Sequence, residues 1–179
     1  KELEDIGTNN SDSIFRLLKY GALCCDGSIQ FSGSSEKAQH IGDPTETAIV
    51  LAAHRKGMPK DALNREYPRI HELPFDSDRK LMTTVNVMNG KTVVIVKGAF
   101  DSLRPICTHG DMEAASHVND SMSQQALRVL ALAYKEIDSL PDRAGAEELE
   151  SDLHFLGLLG MIDPPRPEAK SAVAICRRA

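Results

Sequence analysis

The apolar positions change their period several times along the chain, and each change marks an element. From Ser11, SDSIFRLLKYGALCC sets Ile14, Leu17, Leu18 and Leu23 at the spacing of one helical face behind polar cap candidates, which predicts a helix. The serine-rich FSGSSEKAQHIG that follows has turn chemistry and no period, so it reads as a loop, with a short strand around residues 29–31. In GDPTETAIVLAAHRKG, Asp43 can cap, Pro44 suits the first helical position, Glu46 favours the positive N-terminal end and Gly57 stops the run, predicting a helix over 44–56. A second helical candidate lies near 60–66. RIHELPF is strand-like, with Pro68 and Pro74 breaking the local pattern.

MTTVNVMNGKTVVIVKGA holds two β-rich runs about Asn89-Gly90, the pair that a type I′ hairpin turn wants because both positions need positive φ. SQQALRVLALAYKEI is open between a continued helix and a strand beginning near Val129. LHFLGLLGMID reads as a buried strand, after which DPPRPE turns the chain toward a new helix. No internal repeat or low-complexity segment stands out. Helices and hairpin strands mix without regular β-α alternation, so the expected fold class is α+β, a mainly antiparallel β-sheet flanked by helices.

Composition narrows the function classes. The 179 residues are 41% hydrophobic and 26% charged, a globular balance in a chain long enough to bury a core without disulfides or metals. A formal net charge of -5 argues against general affinity for nucleic acid or an anionic membrane, so any anion site must be local. No run approaches the roughly 20 apolar residues of a membrane span, and the charged start KELED lacks the apolar core of a signal peptide. Cys24, Cys25, Cys107 and Cys176 form no C-x-x-C pair and the six histidines are scattered, so buried or idle thiols in a reducing compartment are expected rather than a zinc site.

Common catalytic signatures are missing: there is no G-x-x-x-x-G-K-[ST], G-x-G-x-x-G, H-E-x-x-H or G-x-S-x-G. What remains are polar and aromatic positions on four segments, PTE, PFDSDRK, VKGA and ALRVLALA. Aromatics make up only 4% of the chain, yet PFDSDRK sets Phe75 among Asp76, Asp78, Arg79 and Lys80. A purine is an apolar plate with a hydrogen-bonding edge, and stacking it on an aromatic ring contributes roughly 1–3 kcal/mol. Phe75 is therefore either such a platform or an ordinary core phenylalanine at a strand end. Lys97 and Gly98 end the run TVVIV, where a glycine permits close approach of a ligand and a lysine can meet phosphate; equally, Gly98 turns the chain and Lys97 points to water. Arg79, Lys80 and Arg128 are each either solvated or ligand-facing, and Glu46 alone is a favourable first-turn charge.

The order of the motifs goes further than any one of them. GDPTETA, PFDSDRKLMT, VKGA, LRVLALA and GMIDPPRPE, in that sequence, resemble the nucleotide-binding domain of P-type ATPases, most like the calcium-pump branch, over roughly residues 1–179. The resemblance implies that Phe75 stacks on adenine, Glu46 lies at its amino edge, Lys80 and Lys97 line the pocket with Arg79 as a further cationic candidate, and Arg128 reaches toward the phosphates. It implies further that Met82 and Gly98 shape the apolar wall and the close-approach floor, with Thr45 beside them. Two departures stand out. Ser77 occupies a position where calcium pumps often carry a basic residue, removing one phosphate contact, and KGAPE is here KGAFD, with Phe100 and Asp101, which is expected to alter the loop after Gly98.

In that family a DKTGT aspartate takes the γ-phosphate while magnesium neutralises charge. The motif does not occur in these residues, and Asp163 in DPPR lacks its neighbouring lysine and threonines. The expectation is therefore a cytoplasmic ATP-binding domain over 1–162, with 163–179 a hinge and the start of a phosphorylation domain, Pro164 and Pro165 fixing φ at the turn. It should bind ATP without turning it over, need magnesium only in the whole pump, and work with phosphorylation and actuator domains of the same parent chain, without nucleic acid or membrane contact of its own. Calcium is the ion implied; sodium/potassium or proton pumping stay open. The rivals are a non-catalytic regulatory domain that kept the fold and lost the ligand, and a different nucleotide-using enzyme.

Overall fold

The computed structural model describes residues 11–31, 38–162, Glu168 and 175–177. The first helix is α1, Ser11–Leu23. It leads into β1, Ser28–Phe31, which pairs antiparallel with β2, Ala38–Ile41, placing Phe31 opposite Ala38. The loop expected over 31–42 is thus a hairpin at its outer ends: four residues with no hydrophobic period still pair, because a ready partner strand overrides weak local preference. Then come α2, Pro44–Arg55, and α3, Lys60–Glu66. Asp43 caps α2 by accepting from the amides of Thr45 and Glu46, and Gly57, at φ +80°, ends it.

Six strands make the main sheet in the order β3 (Arg69–Asp76), β4 (Leu81–Met88), β5 (Lys91–Gly98), β7 (Arg128–Ile137), β8 (Leu153–Met161) and β6 (Cys107–His109). β4, Leu81–Met88, and β5, Lys91–Gly98, are joined at Asn89 (φ 52°) and Gly90 (φ 78°), the two positive values of a type I′ turn. β7, Arg128–Ile137, pairs antiparallel with β5 and with β8, Leu153–Met161. The segment open between helix and strand is therefore strand from Arg128 onward; the helix before it is α5, Met112–Gln124, capped by Asp111. β6, Cys107–His109, runs parallel to β8 and is the one departure from antiparallel pairing among the described strands. Because β6 spans three residues, it covers only the start of β8, and past buried Leu153 that strand is half-buried rather than buried as expected.

β3, Arg69–Asp76, is an edge strand that runs straight through Pro74. Its register against β4 shifts between Leu73 and Asp76. A proline without an amide is tolerated at such an edge bulge, and the bulge re-aims the side chains within it.

Two layers of helix cover the sheet. Met82, Val93, Ile95 and Leu132 pack with Leu18 and Leu23 of α1, Ala53 of α2 and Leu63 of α3. On the other face Leu81, Val85, Val94, Val96, Ala131 and Ala133 pack with Phe100 and Leu103 of α4 (Phe100–Leu103), Ala115 of α5 and Leu149 of α6 (Ala146–Leu149). The alternation of facing residues along β4 and β5 follows from the two-residue period of a strand. Asp163, Pro164, Pro165 and most of the expected last helix lie outside the described residues.

Candidate functional site

At one end of the main sheet, the exit of β5 and the entry of β7 meet the N-terminus of α2 and the bulged end of β3. Between them lies a cleft of about 430 Å³ lined by Asp43, Thr45, Glu46, Phe75, Lys80, Lys97, Gly98, Ala99, Arg128, Val129 and Leu130. Phe75 stands at its lip, 63% exposed, because the Leu73–Asp76 bulge turns it out of the alternating pattern of β3. A phenyl ring left in water forgoes roughly 1.5–3 kcal/mol of burial, so the bulge holds an unusual surface residue in place.

The charges around Phe75 divide between loop and cleft. Asp76 turns back on its own loop, its Oδ1 accepting from the amides of Asp78 and Arg79. This leaves Lys80 at φ 58°, exposed, with its backbone amide on the Asp76 carbonyl and its side chain at the cleft. Arg79 goes elsewhere: Nη1 contacts the Glu150 carboxylate and Nη2 donates to the Pro74 carbonyl at 3.0 Å. The cation nominated beside Lys80 thus serves the opposite face of the sheet.

At the cleft floor Lys97, only 5% exposed, donates to Glu46 Oε1 at 2.5 Å and lies 3.5 Å from Cys25 Sγ. Glu46 Oε2 accepts from the amides of Asp26 (2.7 Å) and Gly27 (2.8 Å). Burial acts to raise the Glu46 carboxyl, but Lys97 and the two amides outweigh it and hold it below its ordinary value. Burial likewise acts to lower the Lys97 ammonium, yet the hydrogen bond and charge of Glu46 leave it raised. The Cys25 thiol is itself pushed up to about 12 by burial, so it is neutral near pH 7 and Glu46 is the operative counter-charge.

Arg128, exposed at the start of β7, donates from Nη1 to Thr45 Oγ1 at 2.7 Å. Neither Arg128 nor Lys80 has a carboxylate within salt-bridge distance among the described residues. Two cations without a salt bridge therefore face a shared cavity in an acidic chain, with the Asp43 carboxylate in the field of Arg128.

The structure brings together Thr45, Glu46, Phe75, Lys80, Lys97, Gly98 and Arg128, and leaves Arg79 and Met82 out. Met82 is opposite Lys97 in the β4–β5 register but is 1% exposed, packed in the core with α1. Gly98 answers to its own protein: a Cβ there would meet the Lys80 carbonyl at 2.2 Å and Leu81 Cδ2 at 2.7 Å. The close approach is the backbone turn at Lys80, which seats that lysine at the cleft. Ser77 is exposed in the loop, and Phe100 turns into the core, edge-on to Phe155 at 6.0 Å. Sequence reasoning missed Val129 and Leu130 as walls, although the apolar run LRVLALA names them, and missed the Asp26 and Gly27 amides, which carry no side-chain signal.

Residues 13–168 match the family model described as P-type ATPase, cytoplasmic domain N, and the chain belongs to that family. It is 40% identical over 190 residues, 99% of its length, to "Calcium-transporting ATPase 1" of Bacillus cereus, and 36% identical over 191 residues, 98% of its length, to "Calcium-transporting ATPase" of Bacillus subtilis. A more distant relative, 32% identical over the full chain, is "Sodium/potassium exporting P-type ATPase cta3" of Schizosaccharomyces pombe. The chain spans about a fifth of these relatives, 20%, 21% and 18% of their lengths, so further domains accompany this one in them. Among the described residues no helix is long and apolar enough to cross a membrane.

Proposed function

We propose that the cleft binds ATP for a P-type cation pump and presents the γ-phosphate to an aspartate on a separate domain, with calcium, the ion named for several relatives, as the transported ion. The observation that carries the reading is the exposed Phe75 ring standing over a cleft with two cations that lack a salt bridge, Lys80 and Arg128. A flat apolar surface beside positive charge suits a purine joined to a polyphosphate, and the exposed ring forgoes burial energy without such a ligand.

The floor supports the base. Once Asp26, Gly27 and Lys97 are satisfied, Glu46 Oε1 keeps one accepting direction and Lys97 Nζ one donating proton, side by side. Adenine offers the complementary pair on its edge, an amine that donates and a ring nitrogen that accepts; guanine offers the reverse. The phosphates then run toward Lys80 and Arg128.

Magnesium is expected to matter little to this chain, because stacking on Phe75 and the adenine edge at Glu46 and Lys97 provide the grip. ATP should then bind equally well with and without magnesium, and a strict requirement for the metal would count against the reading.

Phe75→Ala tests the reading by calorimetric titration with ATP. Loss of stacking lowers affinity by roughly 1–3 kcal/mol, about 5- to 150-fold, with unchanged melting because the ring is exposed. Undiminished ATP affinity would sink the assignment and favour the regulatory domain that kept the fold without the ligand.

A further inference from the structure

Besides Lys97, Glu46 is held in place by residues that do not touch the cleft. The peptide unit joining Cys25 to Asp26 carries the Asp26 amide that meets Glu46 Oε2 at 2.7 Å. The oxygen of that same unit, the Cys25 carbonyl, accepts from Lys60 Nζ at 2.5 Å and from Arg69 Nη2 at 2.8 Å. A peptide unit is planar, so fixing its oxygen fixes the direction of its N–H. Two cations at the oxygen end and a carboxylate at the hydrogen end also polarise one dipole in the same sense, which strengthens both sets of bonds.

The clamp is doubled on each side. Lys60 also takes the Gly27 carbonyl at 2.7 Å, and Arg69 also takes the Leu23 carbonyl at 2.9 Å. Arg69 is in turn pinned through Nη1 by Asp26 Oδ1 at 2.7 Å and Glu72 Oε2 at 2.6 Å. Gly27 fits tightly beneath α2: a Cβ there would lie 3.0 Å from Thr47 Cγ2 and 3.3 Å from Glu46 Cβ. The strap 25–27 is thus held from below by α3 and β3 and pressed against the helix that carries Glu46.

We infer that Lys60 and Arg69 are positioning residues for base selectivity: by clamping the carbonyl end of the Cys25–Asp26 peptide they aim its amide at Glu46 and fix the Glu46–Lys97 pair against the base edge. This rests on the cleft being the ATP site. Lys60 and Arg69 line no part of that cleft, so their influence on a nucleotide passes through the strap. A cation there that served only stability would weaken adenine and guanine nucleotides alike; one that aims Glu46 separates them.

The test uses the 179-residue chain as wild type, Lys60→Met, Arg69→Gln and Phe75→Ala, titrated with ATP and with GTP, with the Asp26 amide followed by NMR in the absence of nucleotide. Lys60→Met and Arg69→Gln should each reduce ATP affinity about 10-fold and leave GTP within about 2-fold, the scale of one charged hydrogen bond. Both should move the Asp26 amide proton upfield as its bond to Glu46 lengthens. Phe75→Ala should weaken both nucleotides together and leave that amide in place. An unchanged ATP/GTP ratio in a folded Lys60→Met chain overturns the inference. Should wild type bind neither nucleotide, the ATP reading fails, and the amide decides the clamp alone: no movement in either variant overturns that too. If Lys60→Met does not fold, Arg69→Lys carries the comparison, since it keeps the charge but has one nitrogen where Arg69 uses two, Nη2 on the Leu23 and Cys25 carbonyls and Nη1 on the Asp26 and Glu72 carboxylates; a fall of about 3-fold in the ratio is expected, and none overturns the inference.

Discussion

Two polar anchors sit on opposite faces of the same end of the sheet, and they behave differently. Lys97–Glu46 lies on the α1–α3 face, with side chains only 6% and 15% exposed, and opens into the cleft. Arg79–Glu150 lies on the other face, where Thr83 Oγ1 also donates to Glu150 Oε1 at 2.6 Å, and Arg79 is 28% exposed. The first pair is dry and still has hydrogen-bonding capacity directed at a cavity. The second is wetter, joins the 74–79 loop to the end of α6, and reaches the cleft only through backbone, by its bond to the Pro74 carbonyl one residue before Phe75 and by the chain into Lys80. The same pairing chemistry is thus used once at a ligand site and once as a brace, and what separates the two is the space beside them.

Removing one member of each pair should expose that difference. Glu46→Leu leaves Lys97 buried without its carboxylate and the Asp26 and Gly27 amides without an acceptor; a loss of about 3–5 kcal/mol in urea unfolding is expected. The double variant Glu46→Leu/Lys97→Met should recover the share of that loss due to the stranded charge, while the Asp26 and Gly27 amides still lack their acceptor, and should not recover ATP binding. Arg79→Met should lose about 1–3 kcal/mol, less because Glu150 keeps Thr83 and water reaches the arginine. ATP affinity should fall much less in Arg79→Met than in Phe75→Ala, since Arg79 meets the Phe75 segment only through the Pro74 carbonyl. If that variant weakens ATP as much as Phe75→Ala does, the two anchors are not functionally distinct.

Acid sharpens the contrast next. The Glu46 carboxyl is held below its ordinary 4.5, burial being outweighed by Lys97 and the two amides. A carboxyl depressed in the folded state contributes stability that is present above its unfolded value and lost as pH falls through the folded one. Unfolding free energy should therefore be level above about 4.5 with respect to this group and decline below it. The Glu46→Leu/Lys97→Met chain should show a flatter acid limb in thermal melts from pH 6 to 3; an identical limb would show that the pair contributes nothing to acid sensitivity.

Much of this was legible in the residues, and the illegible part has a common cause. Asp43-Pro44, Asn89-Gly90 and Gly57 announce their elements because each solves a local backbone problem that few other residues solve. Phe75 was legible as a question, an aromatic in charged company, but its exposure depends on a register shift against β4 that no local pattern encodes. Met82 and Lys97 face each other across the ladder and one is sealed while the other opens, because what decides is whether α1 or the N-terminus of α2 lies overhead. Arg79 and Lys80 are adjacent, and the Asp76 turn sends them to opposite faces. The strap 25–27 works through backbone atoms, which every residue possesses, so its partners Lys60 and Arg69 gave no signal at all.

The smallest expected effect concerns Asp43, which does two things that can be pulled apart. Its Oδ1 accepts from Thr45 N at 2.8 Å and Glu46 N at 3.3 Å, capping α2, and its charge also faces the cleft. Asp43→Ala removes both and should lower stability by about 1 kcal/mol, the usual worth of an N-cap. Asp43→Asn keeps an accepting oxygen for the cap and removes only the charge, so its stability should stay within a few tenths of a kcal/mol of wild type. For a ligand with several negative charges, losing a carboxylate near Arg128 should raise ATP affinity at low salt, about 2-fold, and the gain should fade by 0.5 M as the charges are screened. A gain that persists at high salt would mean that Asp43 acts on the nucleotide through contact rather than through its field.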